Sequence, residues 1–155
     1  MKLRIVALGH RMPAWVNAAF EDYARRMRGE FALELIEVKP EPRSRGRTLA
    51  QILTAEARRI AAATKGWRVV ALDERGQAWT TARLAERLRE WRDRGESVAF
   101  LIGSADGIAD DIKRDADVIM ALSALTLPHG LARVLLIEQL YRATSLLQGH
   151  PYHRE

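Results

Sequence analysis

The fold is decided between residues 67 and 102, WRVVALDERGQAWTTARLAERLREWRDRGESVAFLI. Trp67 to Asp73 (WRVVALD) and Val98 to Ile102 (VAFLI) are short, β-branched runs that stay apolar instead of alternating. Strands buried on both faces read this way, and they belong to parallel sheets covered by helices. Between them, Ala82 to Arg94 reads as a helix, so the stretch is a strand–helix–strand unit.

The same rhythm runs outward in both directions. Toward the start, Lys2 to Leu8 is a strand ending at Gly9. Pro13 then opens a helix, with Trp15, Ala18, Ala19, Phe20, Tyr23, Ala24 and Met27 at helical spacing to about Arg28. Phe31 to Val38 alternates as a second strand, and Leu49 to Ala63 is a second helix. The segment between them, 39 to 47 (KPEPRSRGR), carries proline, glycine and spaced arginines and reads as a mobile basic loop. Toward the other end, Gly103-Ser104-Ala105-Asp106-Gly107 turns into a short helix to about Arg114, and Val118 to Leu122 is a fifth strand. A helix from about Leu131 to Leu147 follows, apolar on nearly every side, which asks for cover all round. The expectation is an α/β fold, a parallel five-stranded sheet with helices on both faces, in one domain over residues 1–155. One sheet covers one face of the last helix, so a second copy of the chain is expected to cover another, making a homodimer.

Composition narrows the partners. Lys and Arg number 25 against 20 Asp and Glu, a net charge of +5 with mostly arginine on the positive side. That balance favours polyanions, and the guanidinium fork suits phosphate. With no cysteine, disulfides, thiolate metal sites and cysteine nucleophiles are excluded. Met1 leads straight into a strand without the features of a signal peptide, and no apolar run approaches the ~18 residues of a membrane span. A cytoplasmic protein with no membrane contact is expected.

In such sheets ligands bind beyond the carboxyl ends of the strands, at a topological switch point. Three ends stand out: Leu72-Asp73, Ile102-Gly103-Ser104, and Leu122 to Leu127. The first strand ends in a single glycine, so a dinucleotide cradle is absent, as are a Gly-Lys-Ser/Thr phosphate loop and a Gly-x-Ser-x-Gly elbow. The turn at 103 to 107 is either a plain strand-to-helix turn or a close backbone approach to a ligand. The loop Leu122-Ser123-Ala124-Leu125-Thr126-Leu127 is apolar, so it is expected to be buried, with main-chain groups needing partners. A buried crossover satisfies that, and so does a planar heterocycle such as adenine held between Leu122 and Leu127. His129, behind Pro128, is placed to cap or orient that loop. Glu138 and Arg142 are spaced i, i+4, as a structural pair or as an arginine aimed at an anion. His150 and His153 are separated by Pro151-Tyr152 and do not make a metal site, and no metal is expected. Tyr152, His153 and Arg154 combine a stacking ring, an imidazole and a phosphate fork, and so read as an RNA contact or as a frayed terminus.

LSALTLPH, L-x-E-Q-L-Y-R-A and the closing HPYHRE, with Met1-Lys2-Leu3, Gly9, Met12-Pro13-x-Trp15-Val16, Leu72-Asp73, Ile102-Gly103 and Gly107, closely resemble the bacterial ribosomal RNA large subunit methyltransferase H family, of the SPOUT class. The resemblance spans essentially the whole chain. It implies a trefoil-knotted domain, S-adenosyl-L-methionine as cofactor, a homodimer, and methylation of N3 of a pseudouridine in 23S rRNA of the assembled ribosome. It puts the cofactor against Leu72 and Asp73, Gly103 and Ser104, the loop 122 to 127 and His129. It puts Tyr152, His153 and Arg154, with Arg142, on the target side, from the other protomer. His153 is the candidate to accept the proton that N3 must lose, because imidazole titrates near neutrality. Arg43, Arg45 and Arg47 are further candidates for the rRNA backbone. The family has Gly-Gly after the fourth strand; Ser104 here would be strained if that position needs a positive φ. A ribosome-binding module without chemistry, or a SPOUT enzyme acting on tRNA, are the competing readings.

Overall fold

The computed structural model describes residues 1–9, 11–104 and 106–153, the side chain of His153 excepted. Its strands are β1 (Leu3–Leu8), β2 (Leu33–Val38), β3 (Arg68–Ala78), β4 (Val98–Ile102) and β5 (Val118–Ala121). Its helices are α1 (Ala14–Arg26), α2 (Leu49–Thr64), α3 (Thr81–Asp93), α4 (Asp110–Asp115) and α5 (His129–Leu147), with 3-10 turns at Gly29–Phe31 and Pro151–His153. The strands form one parallel sheet in the order β2-β1-β4-β3-β5.

Period-two alternation sorts the side chains onto two faces. Leu3, Ile5 and Ala7 of β1 and Val98, Phe100 and Ile102 of β4 point into a core shared with Phe20, Leu88, Leu136 and Leu140 of α1, α3 and α5. Val6, Leu8, Ala99 and Leu101 point the other way, toward Ile60 of α2 and Ile108. Both central strands are therefore buried on both sides, which is why they read as unbroken apolar runs. Helix starts follow local chemistry. The Thr48 hydroxyl accepts from the Gln51 N–H at 3.1 Å, and the Gln51 side chain accepts from the Thr48 N–H at 3.0 Å, a reciprocal cap that opens α2.

Three expectations need correction. Strand β3 does not stop at Asp73: the chain bulges out after Leu72 and returns, so that Leu72 and Gln77 both pair with Met120, and Ala78 pairs with Ala121. Gly76 permits this, since a Cβ there would stand 2.7 Å from the Ile119 carbonyl carbon and oxygen. Strand β2 begins later than expected because Gly29–Phe31 is a helical turn that buries Phe31. Helix α5 is also better covered by its own chain than expected. It lies between α1 and α3, and Leu136, Ile137, Leu140 and Ala143 are fully buried. Only a strip with Leu131 and Leu135 remains exposed, at 41% and 38%. Val16 packs against Gly130, so exposed Trp15 of α1 sits at the same end as that strip.

Candidate active site

Strands β1 and β4 are neighbours at the middle of the sheet, with Ala7 level with Ile102. The connection from β1 leaves toward β2 on one side, and that from β4 leaves toward β5 on the other. Their carboxyl ends, Gly9 and Gly103, therefore flank the switch point at which such sheets bind ligands. His129, the first residue of α5, closes over this point. Its Nδ1 lies 2.9 Å from the Gly103 carbonyl oxygen, and a Cβ on Gly9 would meet its Nε2 at 3.4 Å. A carbonyl only accepts, so Nδ1 carries the proton and donates it. Nε2 then presents a lone pair, and the Arg133 guanidinium donates to it at 3.0 Å. Arg133 is fully buried, and its other terminal nitrogen donates to Glu37 on β2 at 2.7 Å. Burial pushes the His129 imidazole below its ordinary range. The Arg133 cation adds to that, while the Gly103 bond and Glu37 oppose it.

Arg133 and Glu37 were not among the residues singled out in the sequence. The signal for Arg133 was its i, i+4 spacing from His129 on an apolar helix. Nothing local pointed to Glu37, which lies 96 positions away from its partner.

The loop after β5 is not buried as expected. Ala124, Leu125 and Thr126 are exposed, Leu125 by 75%, while Leu122, Ser123, Leu127 and His129 are half-buried. Ser123 Oγ accepts the Leu125 N–H at 2.9 Å, and the Thr126 hydroxyl donates to Glu74 at 3.0 Å. Among the described residues, the N–H groups of Ala124, Thr126 and Leu127 have no protein partner. The loop thus offers free main-chain donors set among leucines. Leu72 packs against the core beside it, whereas the Asp73 carboxylate is committed to its own turn. It accepts the Arg75 N–H at 2.8 Å and Lys113 Nζ at 3.3 Å, and these bonds, the backbone one first, lower its pKa against the opposing effect of burial.

The condition under which Ser104 would be strained does not arise: among the described residues of this turn the positive φ falls on Gly107, at 82°. The Ser104 hydroxyl accepts instead from Arg43 at 3.1 Å. Arg43 also reaches Asp106 at 2.8 Å and the buried Glu56 carboxylate at 2.8 Å, tying the loop after β2 to the turn after β4. Arg47 is bound to Glu41 at 2.6 Å. Of the three arginines in this basic loop, only Arg45 lacks an ionic partner among the described residues, and the other two anchor the loop by ion pairs. A groove of about 600 Å³ runs along α2 between Arg47 and Arg58, and another of about 500 Å³ lies beside Asp73, Lys113 and Asp117. Neither is lined by residues 122 to 127, and the candidate site is defined by the strand ends.

The tail residues lie elsewhere on the chain. Pro151–His153 forms its own 3-10 turn, folded back on α5. The Tyr152 ring packs on Tyr141 at 4.5 Å between centroids, and its hydroxyl lies 3.2 Å from both Tyr23 and Glu138. Arg142 donates to Glu138 at 2.9 Å and lies over the Tyr152 ring at 5.0 Å. Burial, the Tyr23 hydroxyl and the Glu138 charge raise the Tyr152 phenol pKa above its ordinary value. The side chain of His153 and all of Arg154 lie outside the described residues. Along α5 the chain rises about 14–20 Å from His129 to Glu138 and Arg142, which separates this cluster from the His129 end within one chain. Among the described residues, no three His, Cys, Asp or Glu side chains are grouped to hold a metal, and no helix is long and apolar enough to cross a membrane.

Comparison with known proteins gives this geometry a family. The family model described as predicted SPOUT methyltransferase matches residues 1–153. Proteins named ribosomal RNA large subunit methyltransferase H, from Burkholderia mallei and Burkholderia pseudomallei, are 56% identical over 155 residues, covering 99% of each chain. Among solved structures, a probable methylase family protein from Haemophilus influenzae Rd KW20 superposes with a TM-score of 0.60 at 13% identity, covering 97% of this chain and 69% of that one. A probable methyltransferase from Bordetella pertussis Tohama I gives 0.59 at 17% identity, covering 91% and 95%. At those identities the two structures share the fold alone. With the family model matched almost end to end and full-length relatives above half identity, the chain belongs to the SPOUT methyltransferases, in the ribosomal RNA large subunit methyltransferase H family.

Proposed function

We propose that the protein methylates N3 of a pseudouridine in 23S rRNA within the assembled ribosome, in the cytoplasm, using S-adenosyl-L-methionine. The observation that carries the substrate is the 56% identity to relatives named for large-subunit rRNA methylation. The cofactor assignment rests on the donor set after β5. Unpaired N–H groups of Ala124, Thr126 and Leu127 suit the edge of an adenine, and Leu122, Leu125 and Leu127 supply apolar surface for its faces. Gly103 and Ser104 complete the floor. When bound, the cofactor supplies an electrophilic methyl group and requires no metal.

The residues of the chain then position, exclude water and manage charge, and alignment of donor and acceptor supplies most of the rate. Glu138 holds both Arg142 and the Tyr152 hydroxyl, so the target-side surface is preset before RNA arrives. Arg142 and Arg154 offset phosphate charge. His153 takes the N3 proton, on the strength of imidazole chemistry. A single chain keeps its tail cluster about 14–20 Å along α5 from the His129 end of its own site, and on this reading the working site is composite. Two copies related by a dyad bring the tail of one to the loops of the other, covering the strip of Trp15, Leu131 and Leu135. The knotted topology of the family accompanies this reading, as does a single domain over the whole chain.

The test is modification mapping of 23S rRNA from a strain lacking the gene, followed by treatment of its ribosomes with the purified protein and cofactor. One missing methyl at a pseudouridine, restored in vitro, is the expected result. An unchanged rRNA, or a methyl lost from tRNA instead, refutes the assignment.

A further inference from the structure

The methyl-transfer reading leaves one buried charged group without a task. Arg133 is wholly inside the protein on a mostly apolar helix, and its Nε has no partner. An unneeded buried guanidinium is costly, and replacement by an apolar side chain of similar volume is commonly neutral or stabilising. Its two terminal nitrogens are used differently. One is held by Glu37, which is 40% exposed, and the other ends on His129 Nε2 at 3.0 Å. His129 passes the constraint on by donating from Nδ1 to the Gly103 carbonyl at 2.9 Å.

The geometry points to Glu37, Arg133 and His129 as a positioning chain that fixes the Gly103 peptide of the cofactor site, and that holds only while His129 is neutral. Each bond in the chain has one allowed direction. Arg133 can only donate, so Nε2 must be a bare lone pair, and Nδ1 must carry the single proton toward Gly103. A second proton on the ring would sit on Nε2, facing a guanidinium, with two cations in contact and the Arg133 bond lost. The charged groups facing the ring among the described residues are Arg133 from α5 and Glu37 from β2. Among the described residues, the ends of β1 and β4 bring only the uncharged Gly9 and Gly103 against the ring. The depressed pKa of His129 agrees with this arrangement. The inference deepens the cofactor reading and rests on it.

Two measurements on the full-length protein test it. Nitrogen-15 NMR of the imidazoles between about pH 5 and 8 reads the tautomer and titration of His129 without any variant of the chain. The expected result is the Nδ1–H form with a midpoint below 6.5, moving upward in Arg133→Met and by less in Arg133→Lys. Calorimetric binding of S-adenosylmethionine across the same range is the second. Affinity should hold above the His129 midpoint and fall below it, and Arg133→Met should shift that fall to higher pH by the same amount seen in the NMR titration. His129→Asn keeps a donor toward Gly103 but no proton-sensitive acceptor. It should bind about tenfold more weakly, the size of one misplaced hydrogen bond, with the pH step gone. An Nε2–H tautomer, or a fall in affinity whose midpoint Arg133→Met leaves in place, overturns the inference while leaving the cofactor reading intact. No binding by the unaltered protein at any pH overturns both.

Discussion

Arg43→Ala should loosen the protein by an amount that its contacts allow to be worked out in advance. The Glu56 carboxylate is 1% exposed, and its Oε2 accepts from Arg43 at 2.8 Å and from the Glu41 N–H at 3.0 Å, while Oε1 has no partner. Removing the guanidinium leaves that charge inside the protein with one main-chain donor. Breaking a fully buried ion pair from one side costs about 3–5 kcal/mol. Arg43 is 37% exposed, so water already screens its half of the pair and the loss falls to about 2 kcal/mol. The arm to Asp106, itself 41% exposed, adds less than about 1 kcal/mol. For a chain of this length about 2 kcal/mol lowers Tm by roughly 4–8 °C. Urea unfolding measures the difference directly, provided the denaturant slope is unchanged. Two companion variants separate the arms: Asp106→Asn should cost about 0.5 kcal/mol, and Glu56→Gln placed on Arg43→Ala should recover about half of the loss by removing the stranded charge. If Arg43→Ala lies within about 0.5 kcal/mol of the parent, or Glu56→Gln deepens the loss, the clamp between the two loops is not what holds them.

Leu125→Ala should leave stability within about 0.5 kcal/mol, because the side chain is 75% exposed, yet weaken S-adenosylmethionine binding several-fold; equal effects on both would place Leu125 in packing alone. Tyr152→Phe should cost about 1 kcal/mol near neutral pH through the lost hydroxyl contacts. The fold raises the Tyr152 pKa, so the parent keeps this contribution below the unfolded phenol value near 10 and loses it as pH rises toward the folded value, whereas the phenylalanine variant should lack that part of the alkaline decline in unfolding measurements. Ser104→Gly should destabilise by about 1 kcal/mol, since the φ here is not one that favours glycine and the Arg43 contact is lost. A stabilised glycine variant, by the same unfolding assay, would show that the serine is strained after all.

The sheet was legible because burial on both faces writes itself residue by residue: β4 begins and ends where its apolar run does, and β1 begins one residue late. Pairing beyond a bulge is not written locally, since Gln77 and Ala78 extend β3 only because β5 lies alongside them. The greasy loop at 122 to 127 misled for a related reason. Apolar composition implies burial when a chain segment crosses a core, but this one projects past the sheet, where its main-chain donors meet solvent and need no protein partner. The tail looked free because its partner Tyr23 is 129 positions away. Asp73 matched a family motif, yet its carboxylate serves the turn that carries β3 outward, a use visible only once Lys113 stands beside it.

Helix α5 joins these parts into one argument. Its first residue orients the Gly103 carbonyl, and its third and fourth turns carry Glu138 and Arg142 toward the tail, so on the proposed reading one rod has cofactor chemistry at one end and target chemistry toward the other. A rod of 19 residues cannot bring its own ends together, and no bend relieves this because its middle is locked between α1 and α3 by Leu136, Ile137 and Leu140. The same rod leaves Leu131 and Leu135 uncovered near the cofactor end. In the proposed dimer, two such rods laid antiparallel would cover those leucines and set each tail beside the other chain's strand ends in a single operation. The length of the helix, the exposed strip and the remote tail are thus accounted for together by the proposed transfer between two chains and not within one.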